Sequence, residues 1–238
     1  MRSFKADLHI HTLLSPCGSL GMSPAVIISA ALRQGLDMIA VSDHNSTLHC
    51  ELMVTLGAEA GLTVLRAAEV TSTEDVHSLV ILPDSEARIT FQVWLEAHST
   101  HVRHDPRLFG DQVVLDRDEN IVAAIDYFLP AALDASLDEI EREAHRLGAL
   151  FIPAHIDRPS FSITSQLGFI PEDLYVDAVE VVGKAPELLY PVVRNSDAHT
   201  PEQIGRRYTT YLLEEATFGE LALALRGENG RKILETVK

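Results

Sequence analysis

Apolar and polar residues alternate with a period of two from Phe4 to Ile10, the pattern of a strand. Asp7, His9 and His11 therefore share one face, with Leu8 and Ile10 on the other. The period then lengthens. Ser23-Pro24 supplies an N-cap and a first-turn proline, Ile27, Ile28, Ala31 and Leu32 follow at helical spacing, and Gly35 fits the stop. Asp37 to Ser42 predicts a second strand that delivers Asp43-His44-Asn45, and a helix over Thr47 to Ala60 ends near Gly61. Leu62 to Val70 is a third strand carrying Glu69, and His77 to Leu82 a fourth, closed by Pro83.

Regularity lapses from about residue 84 to 130, which reads as an insertion without a core pattern of its own. Within it Ile89 to His101 looks helical, Arg103 to Asp118 is a polar loop, and Ile121 to Leu129 is a short helix. Order returns with the capping box Ser136-Leu-Asp-Glu139, whose helix stops at Gly148. Ala149 to Ala154 is a strand delivering His155, and Ser160 to Gly168 a short helix. Asp177 to Val182 and Pro191 to Asn195 are strands, the second delivering Ser196-Asp197-Ala198-His199. Thr200-Pro201-Glu202-Gln203 reads as a second capping box, Tyr208 to Leu213 as a strand and Thr217 to Leu225 as a helix. Strands and helices alternate, so the expected fold is α/β, one domain over residues 1–238 built on a parallel sheet or barrel.

Composition narrows the partners. The 238 residues include 19 basic and 35 acidic ones, a formal charge of −16, which speaks against a broad nucleic-acid or anionic-membrane surface. Cys17 and Cys50 make no disulfide framework. With no signal segment and no long apolar run, the expected setting is a reducing cytoplasm, with no membrane partner.

The candidate chemistry lies in where the ligand-type residues fall. His9 and His11, His44, Glu69, His77, His155, Asp197 and His199 sit at or beside strand ends, although His77 begins its strand. In a parallel barrel the C-terminal strand ends meet at one mouth, so such a set would surround one site. Imidazole with carboxylate suits zinc, manganese or iron.

These residues resemble a known family. Asp-Leu-His9-Ile-His11-Thr, Ser-Asp43-His44-Asn, Glu69 with His77, Pro-Ala-His155 and Ser-Asp197-Ala-His199 are similar in order and spacing to the motifs of the PHP family, named for polymerase and histidinol phosphatase. The resemblance implies a distorted (β/α)7 TIM-like barrel with two or three divalent cations at the C-terminal strand ends. It implies metal-dependent phosphoester hydrolysis by an activated hydroxide, as in the small stand-alone phosphoesterases. Carried over, it suggests His9, His11, Glu69 and Asp197 around a first cation. Glu69 would bridge to a second held with His77 and His155, and His44 and His199 would hold a third. Where many relatives place a His or Asp as a further third-site ligand, this chain has Cys17, either a thiolate ligand or a small thiol beside a turn.

Other roles follow from placement. His199 with Asp43 is expected to stabilise or protonate the leaving oxygen, and Arg158, three residues past His155, to clamp a phosphate oxygen. Asn45 and Ser160 are further substrate candidates, and Asp7 is expected to orient a histidine. His98, His101 and His104, His49 and His145, Phe91 and Trp94, Lys184 and Arg206-Arg207 read as ordinary surface, helix-end or packing residues. The expected substrate is a small phosphorylated metabolite or nucleotide, as monoester or diester. The alternatives are an exonuclease acting on nucleic-acid ends, a non-catalytic metal-binding regulator and hydrolysis at carbon.

Overall fold

A computed structural model describes residues 1–183 and 189–237. Lys184 lies outside the described residues. The elements run β1 (Arg2–Ile10), α1 (Pro24–Arg33), β2 (Met38–Val41), α2 (Cys50–Ala60), β3 (Thr63–Thr71), β4 (His77–Leu82), α3 (Ser85–Ala97), α4 (Pro106–Phe109), β5 (Val113–Leu115) and β6 (Ile121–Ala124). There follow α5 (Leu137–Arg146), β7 (Leu150–Pro153), α6 (Ile163–Leu167), β8 (Val179–Glu180), β9 (Val192–Val193), β10 (Tyr208–Leu213), α7 (Phe218–Arg226) and β11 (Lys232–Val237).

The main sheet has seven strands in the order β11-β10-β1-β2-β3-β4-β7, curled into half a barrel. It is mixed, which corrects the parallel sheet read from the sequence. β1, β2 and β3 are parallel, whereas β4 runs antiparallel to β3, β7 to β4, β10 to β1 and β11 to β10. The cause is connection length. Only residues 72–76 join β3 to β4, enough for a hairpin and far too few for a parallel crossover. That reversal also accounts for His77 at the start of its strand. Thr71 pairs with His77 and Glu69 with Leu79, so the first residue of β4 sits at the same sheet end as the last residues of β3.

The strands expected at Asp177 to Val182 and Pro191 to Asn195 shrink to β8 and β9, a separate parallel pair. They meet the main sheet through single bonds: Asp177 N–H to Phe151 O (3.1 Å), Ile156 N–H to Glu180 O (2.9 Å), His11 N–H to Ala198 O (3.0 Å) and Ala198 N–H to His9 O (3.2 Å). Side-chain carboxylates and amides bridge the same seams, as described below.

β1 is central, and every residue from Ala6 to Ile10 is fully buried. Phe4, Ala6 and Leu8 pack with Met38, Ala40, Ala67, Leu79 and Ile152. Ile10, Ile39, Val41 and Val64 pack beneath α1 and α2 through Ile27, Ile28 and Met53. A third cluster joins Phe91 and Leu95 of α3 to Ile140 and Ala144 of α5 across Val80 and Phe151. The capping box of α5 forms as read, and Gly61 ends α2 in the left-handed region (φ 75°). Thr200 to Gln203 does not form a capping box. It makes one 3-10 turn, with Gln203 Oε1 accepting from His199 N–H (2.8 Å).

The insertion departs further. Ile121 to Leu129 is not helical: Ile121 to Ala124 form β6, paired with β5 in a hairpin. Ile121 and Val122 favour an extended backbone. The turn at Asp116 is locked because its Oδ1 accepts from Asp118 N–H and Asn120 N–H, both at 2.9 Å.

Candidate metal centre

Six segments converge on one buried cluster. β1 and the residue after it supply His9 and His11, the end of β2 leads to His44, and β3 and β4 supply Glu69 and His77. The loop after β7 gives His155, and the loop after β9 gives Asp197 and His199. Asn45, His155 and Asp197 all hold positive φ (46°, 31° and 51°), a backbone cost of about 1–3 kcal/mol each that the surrounding structure must offset.

The first group has the separations expected of ligands around one ion. His9 Nε2 and His11 Nε2 lie 3.2 Å apart. Asp197 Oδ1 is 3.4 Å from His9 Nε2 and 3.2 Å from His11 Nε2. Glu69 Oε1 is 3.3 Å from His9 Nε2, and its Oε2 is 3.3 Å from His11 Nε2. Donor atoms at tetrahedral distances from one zinc would be separated by roughly 3.4 Å. Glu69 reaches further: its Oε1 is 3.0 Å from both His77 Nδ1 and His155 Nε2.

His44 Nδ1 approaches Glu69 Oε2 at 3.2 Å, but the angle makes no hydrogen bond, so a buried ring nitrogen stays unpartnered among the described residues. That is the state of a nitrogen placed for a cation rather than for a proton. His44 groups with Glu69 and His77, and again with His11, Cys17 and His199, the donor atoms of each group lying within 4.8 Å of one another. Although Cys17 is exposed as a residue, its thiol faces that second group. Burial and the charges of Glu69, Asp197 and Asp43 push the thiol pKa far up, so a thiolate there requires a bound cation.

Hydrogen bonds behind the rings fix the tautomers. His9 Nδ1–H donates to Glu180, 3.1 Å from each oxygen, which leaves Nε2 bare toward the cluster. His11 Nδ1–H donates to Ser15 Oγ (3.2 Å), and that hydroxyl donates onward to Asp43 Oδ1 (2.7 Å) while accepting from His44 N–H (3.1 Å). His199 Nδ1–H donates to Asp197 O (3.0 Å), leaving its Nε2 as an acceptor.

Charge is unevenly shared. Burial disfavours an imidazolium at His9, but Glu180, Glu69 and Asp197 outweigh it and raise its pKa. The same balance, through Asp197 and Glu69, carries His11 to about 9. Burial lowers His44, reinforced by the neighbouring His11, His77 and His199, and lowers His199 to about 4. Glu69 and Asp197 stay ionised despite burial because the histidines surround them.

The structure therefore gathers His9, His11, Cys17, His44, Glu69, His77, His155, Asp197 and His199. Arg158 joins at the mouth, its Nη2 2.6 Å from Asp197 Oδ2, while Asp157 caps Val182 N–H and Gly183 N–H instead of pairing with it. Four expectations are corrected. Asp43 does not face a leaving group: Thr12 N–H, Thr12 Oγ1 and Ser15 Oγ occupy both its oxygens. Asn45 is spent on the backbone, donating to Leu129 O and Ala131 O and accepting from Thr71 N–H. Ser160 is exposed, with no side-chain partner among the described residues. Asp7 orients no histidine either. It receives Ser196 N–H (2.8 Å) and Gly205 N–H (2.9 Å), and burial lifts its pKa to about 6.

Glu180 was not anticipated. It sits under His9, accepts from His155 N–H (2.9 Å) and Asn195 Nδ2 (2.8 Å), and is fully buried. Its signal was present: an acid inside the apolar run Val179 to Val182. Asn195 completes the seam, with Oδ1 accepting from Leu8 N–H (2.9 Å).

Comparison with known proteins bears on the fold. A family model described as "PHP-associated" matches residues 185–229. The uncharacterized protein YqxK of Bacillus subtilis is 25% identical over 274 residues, covering 98% of this chain and 65% of that protein. The lesion-specific endonuclease PfuEndoQ of Pyrococcus furiosus superposes with a TM-score of 0.75 at 22% identity, covering 99% of this chain and 58% of the endonuclease. Endonuclease Q bound to a 27-mer duplex with an abasic lesion gives 0.73 at 21% identity, with 99% and 59% coverage. A protein of Bifidobacterium adolescentis, provisionally assigned as a metal-dependent phosphoesterase, gives 0.58 at 18% identity, with 82% and 88% coverage. The chain thus spans less than two thirds of YqxK and of the endonuclease.

Proposed function

We propose, from the premise that this chain belongs to the PHP-domain family, that it is a metal-dependent phosphoester hydrolase. The observation that carries the reading is the first ligand group, in which two imidazole nitrogens and two carboxylates from three segments stand 3.2–3.4 Å apart in full burial. His9, His11, Glu69 and Asp197 would hold one divalent cation, Glu69 with His77 and His155 a second, and His44, His199 and Cys17 a third. Zinc, manganese or iron suits the donors. Such cations supply an attacking oxygen nucleophile at neutral pH and offset charge on the phosphoryl oxygens.

The chain's own residues do the rest. Glu180 and Ser15 hold the His9 and His11 rings with Nε2 inward. Arg158 is anchored on Asp197 through one nitrogen, and its remaining N–H groups bind a phosphate oxygen. With Asp43 turned away and the His199 Nδ1–H committed to a carbonyl, His199 serves as a ligand rather than as the proton donor. The first substrate reading is a small phosphorylated metabolite or nucleotide, consistent with the charge of −16. The second is a nuclease, favoured by the likeness to Endonuclease Q along 99% of this chain. No helix among the described residues is long and apolar enough to cross a membrane.

The test is metal analysis of purified protein, then a panel of sugar phosphates, nucleotides, cyclic diesters and DNA with the metals found. Turnover abolished by His9→Ala or Asp197→Ala in folded protein supports the reading. Absence of turnover across the panel with metal bound overturns it in favour of a non-catalytic role.

A further inference from the structure

The loop after β7 carries an aromatic ring in a costly backbone conformation. Phe161 holds a left-handed φ of 54°, which a bulky residue rarely adopts and which costs about 1–3 kcal/mol. Burial of the side chain does not account for that cost, since the residue is 44% exposed. The loop nonetheless fixes it. Phe161 O accepts from His77 N–H (3.0 Å), Ser162 Oγ–H donates to Arg158 O (2.7 Å), and Arg158 N–H donates to His155 O (2.9 Å).

The ring stands at the metal centre itself. It stacks on the His77 imidazole, with centroids 4.7 Å apart and planes 22° apart. His77 Nδ1 in turn lies 3.0 Å from Glu69 Oε1, the carboxylate that links the ligand groups. His77 is only 9% exposed, so Phe161 lies between that imidazole and solvent, and the ring owes its own exposure to its other face and its rim. Three residues earlier the same loop sets Arg158 Nη2 2.6 Å from Asp197 Oδ2. One short, pinned segment therefore places a guanidinium on one member of the cluster and an open aromatic surface on another. A phenyl surface offers no hydrogen bond; what it attracts is a second planar π-system.

We propose that Phe161 is a specificity-determining residue, the platform on which an aromatic or heteroaromatic group linked to the substrate's phosphorus stacks while Arg158 holds the phosphate. The proposal rests on the phosphoester reading, and it is tested by binding rather than turnover. Methyl-, phenyl- and benzylphosphonate resist hydrolysis and differ in the presence of a ring and in its distance from phosphorus. Each is titrated by calorimetry against the metal-loaded full chain and its Phe161→Gly and Phe161→Trp variants, with metal content measured in parallel. Glycine accepts the left-handed backbone, so Phe161→Gly removes the ring without opposing the loop conformation. The expected result is that at least one ring-bearing phosphonate binds about tenfold more tightly than methylphosphonate. That preference should vanish in Phe161→Gly and persist in Phe161→Trp, with methylphosphonate affinity and metal content unchanged in both. Equal binding of all three phosphonates overturns the proposal and leaves the phosphoester reading standing, as does a preference that survives Phe161→Gly. Loss of metal, or equal weakening of all three phosphonates, in Phe161→Gly overturns it too and makes Phe161 a positioning residue for His77. Failure of every phosphonate to bind the loaded native chain would remove the phosphoester reading and the platform together.

Discussion

Glu180→Gln isolates the contribution of a single buried charge. Glu180 Oε1 accepts from His9 Nδ1 (3.1 Å) and Asn195 Nδ2 (2.8 Å), and its Oε2 accepts from His9 Nδ1 (3.1 Å) and His155 N–H (2.9 Å). Glutamine matches the shape but brings an NH₂. In one orientation that group faces the amide of His155, in the other the amide of Asn195, so one buried donor loses its acceptor either way. The expected stability loss is about 1–3 kcal/mol. The larger effect falls on the metal centre. Without the carboxylate, His9 is a weaker base and its ring is less firmly held, so cation affinity should fall about 10–100-fold. The assay is competition for zinc against a chromophoric chelator at pH 7.5, with urea unfolding run in parallel. Wild-type affinity in a folded Glu180→Gln protein would refute the claim that this charge orients His9. A stability loss without an affinity loss would reduce Glu180 to a structural seam.

Cys17→Ser should reduce bound metal per chain by up to one ion while leaving the His9–His11 group filled, read by elemental analysis; unchanged stoichiometry and affinity would make Cys17 a bystander. Arg158→Ala should raise KM for a phosphate monoester about tenfold or more, from the loss of a charged hydrogen bond, with metal content retained. His49→Ala should cost about 2–4 kcal/mol in urea unfolding, because it empties a buried site and orphans the Leu115 amide. The pH effect follows from His11. Its folded pKa of about 9 exceeds the unfolded 6.5, so its protonation stabilises the cation-free fold below pH 6.5, and that contribution is lost as pH rises through about 9. A cation must displace the same proton, so the melting-temperature gap between zinc-loaded and chelator-treated protein should widen from pH 6.5 to 9; a constant gap would refute it.

The sequence exposed the residues that cluster because ionisable residues at strand ends are costly unless they serve a site, and each lay beside an apolar run that located its strand. It hid the supports for the same physical reason. Asp43 and His44 are adjacent, yet only His44 enters the cluster, because the amide and hydroxyl of Thr12 and the hydroxyl of Ser15 claim the Asp43 oxygens. Nothing in the spacing says which neighbour a carboxylate will choose. Glu180 differs: an acid among valines announces a buried partner but does not name it. The sheet topology was legible in part, since the short link 72–76 already forbids a parallel β3–β4 pair. β11 escaped notice because an edge strand with Lys232 and Glu235 has little burial to mark it.

The insertion follows a different logic, and the hydrogen bonds show that it is not an appendage. Leu115 N–H donates to His49 Nε2 (2.9 Å), which leaves His49 Nδ1–H for Thr12 Oγ1 (2.7 Å). Thr12 Oγ1 donates to Asp43 Oδ2 (2.8 Å), Asp43 accepts from Ser15, and Ser15 accepts from His11. One unbroken chain thus runs from β5 to a ring of the first ligand group. Every group along it is buried, so no link can be replaced by water at low cost. Burial on folding favours His49 as neutral, the state this donor–acceptor order requires. Displacing the hairpin should therefore loosen His11 without touching it. A Leu115→Pro chain, which lacks the N–H, should lose zinc affinity while His9, Glu69 and Asp197 remain intact. Unchanged affinity in the folded variant would show that the insertion and the metal centre are energetically separate.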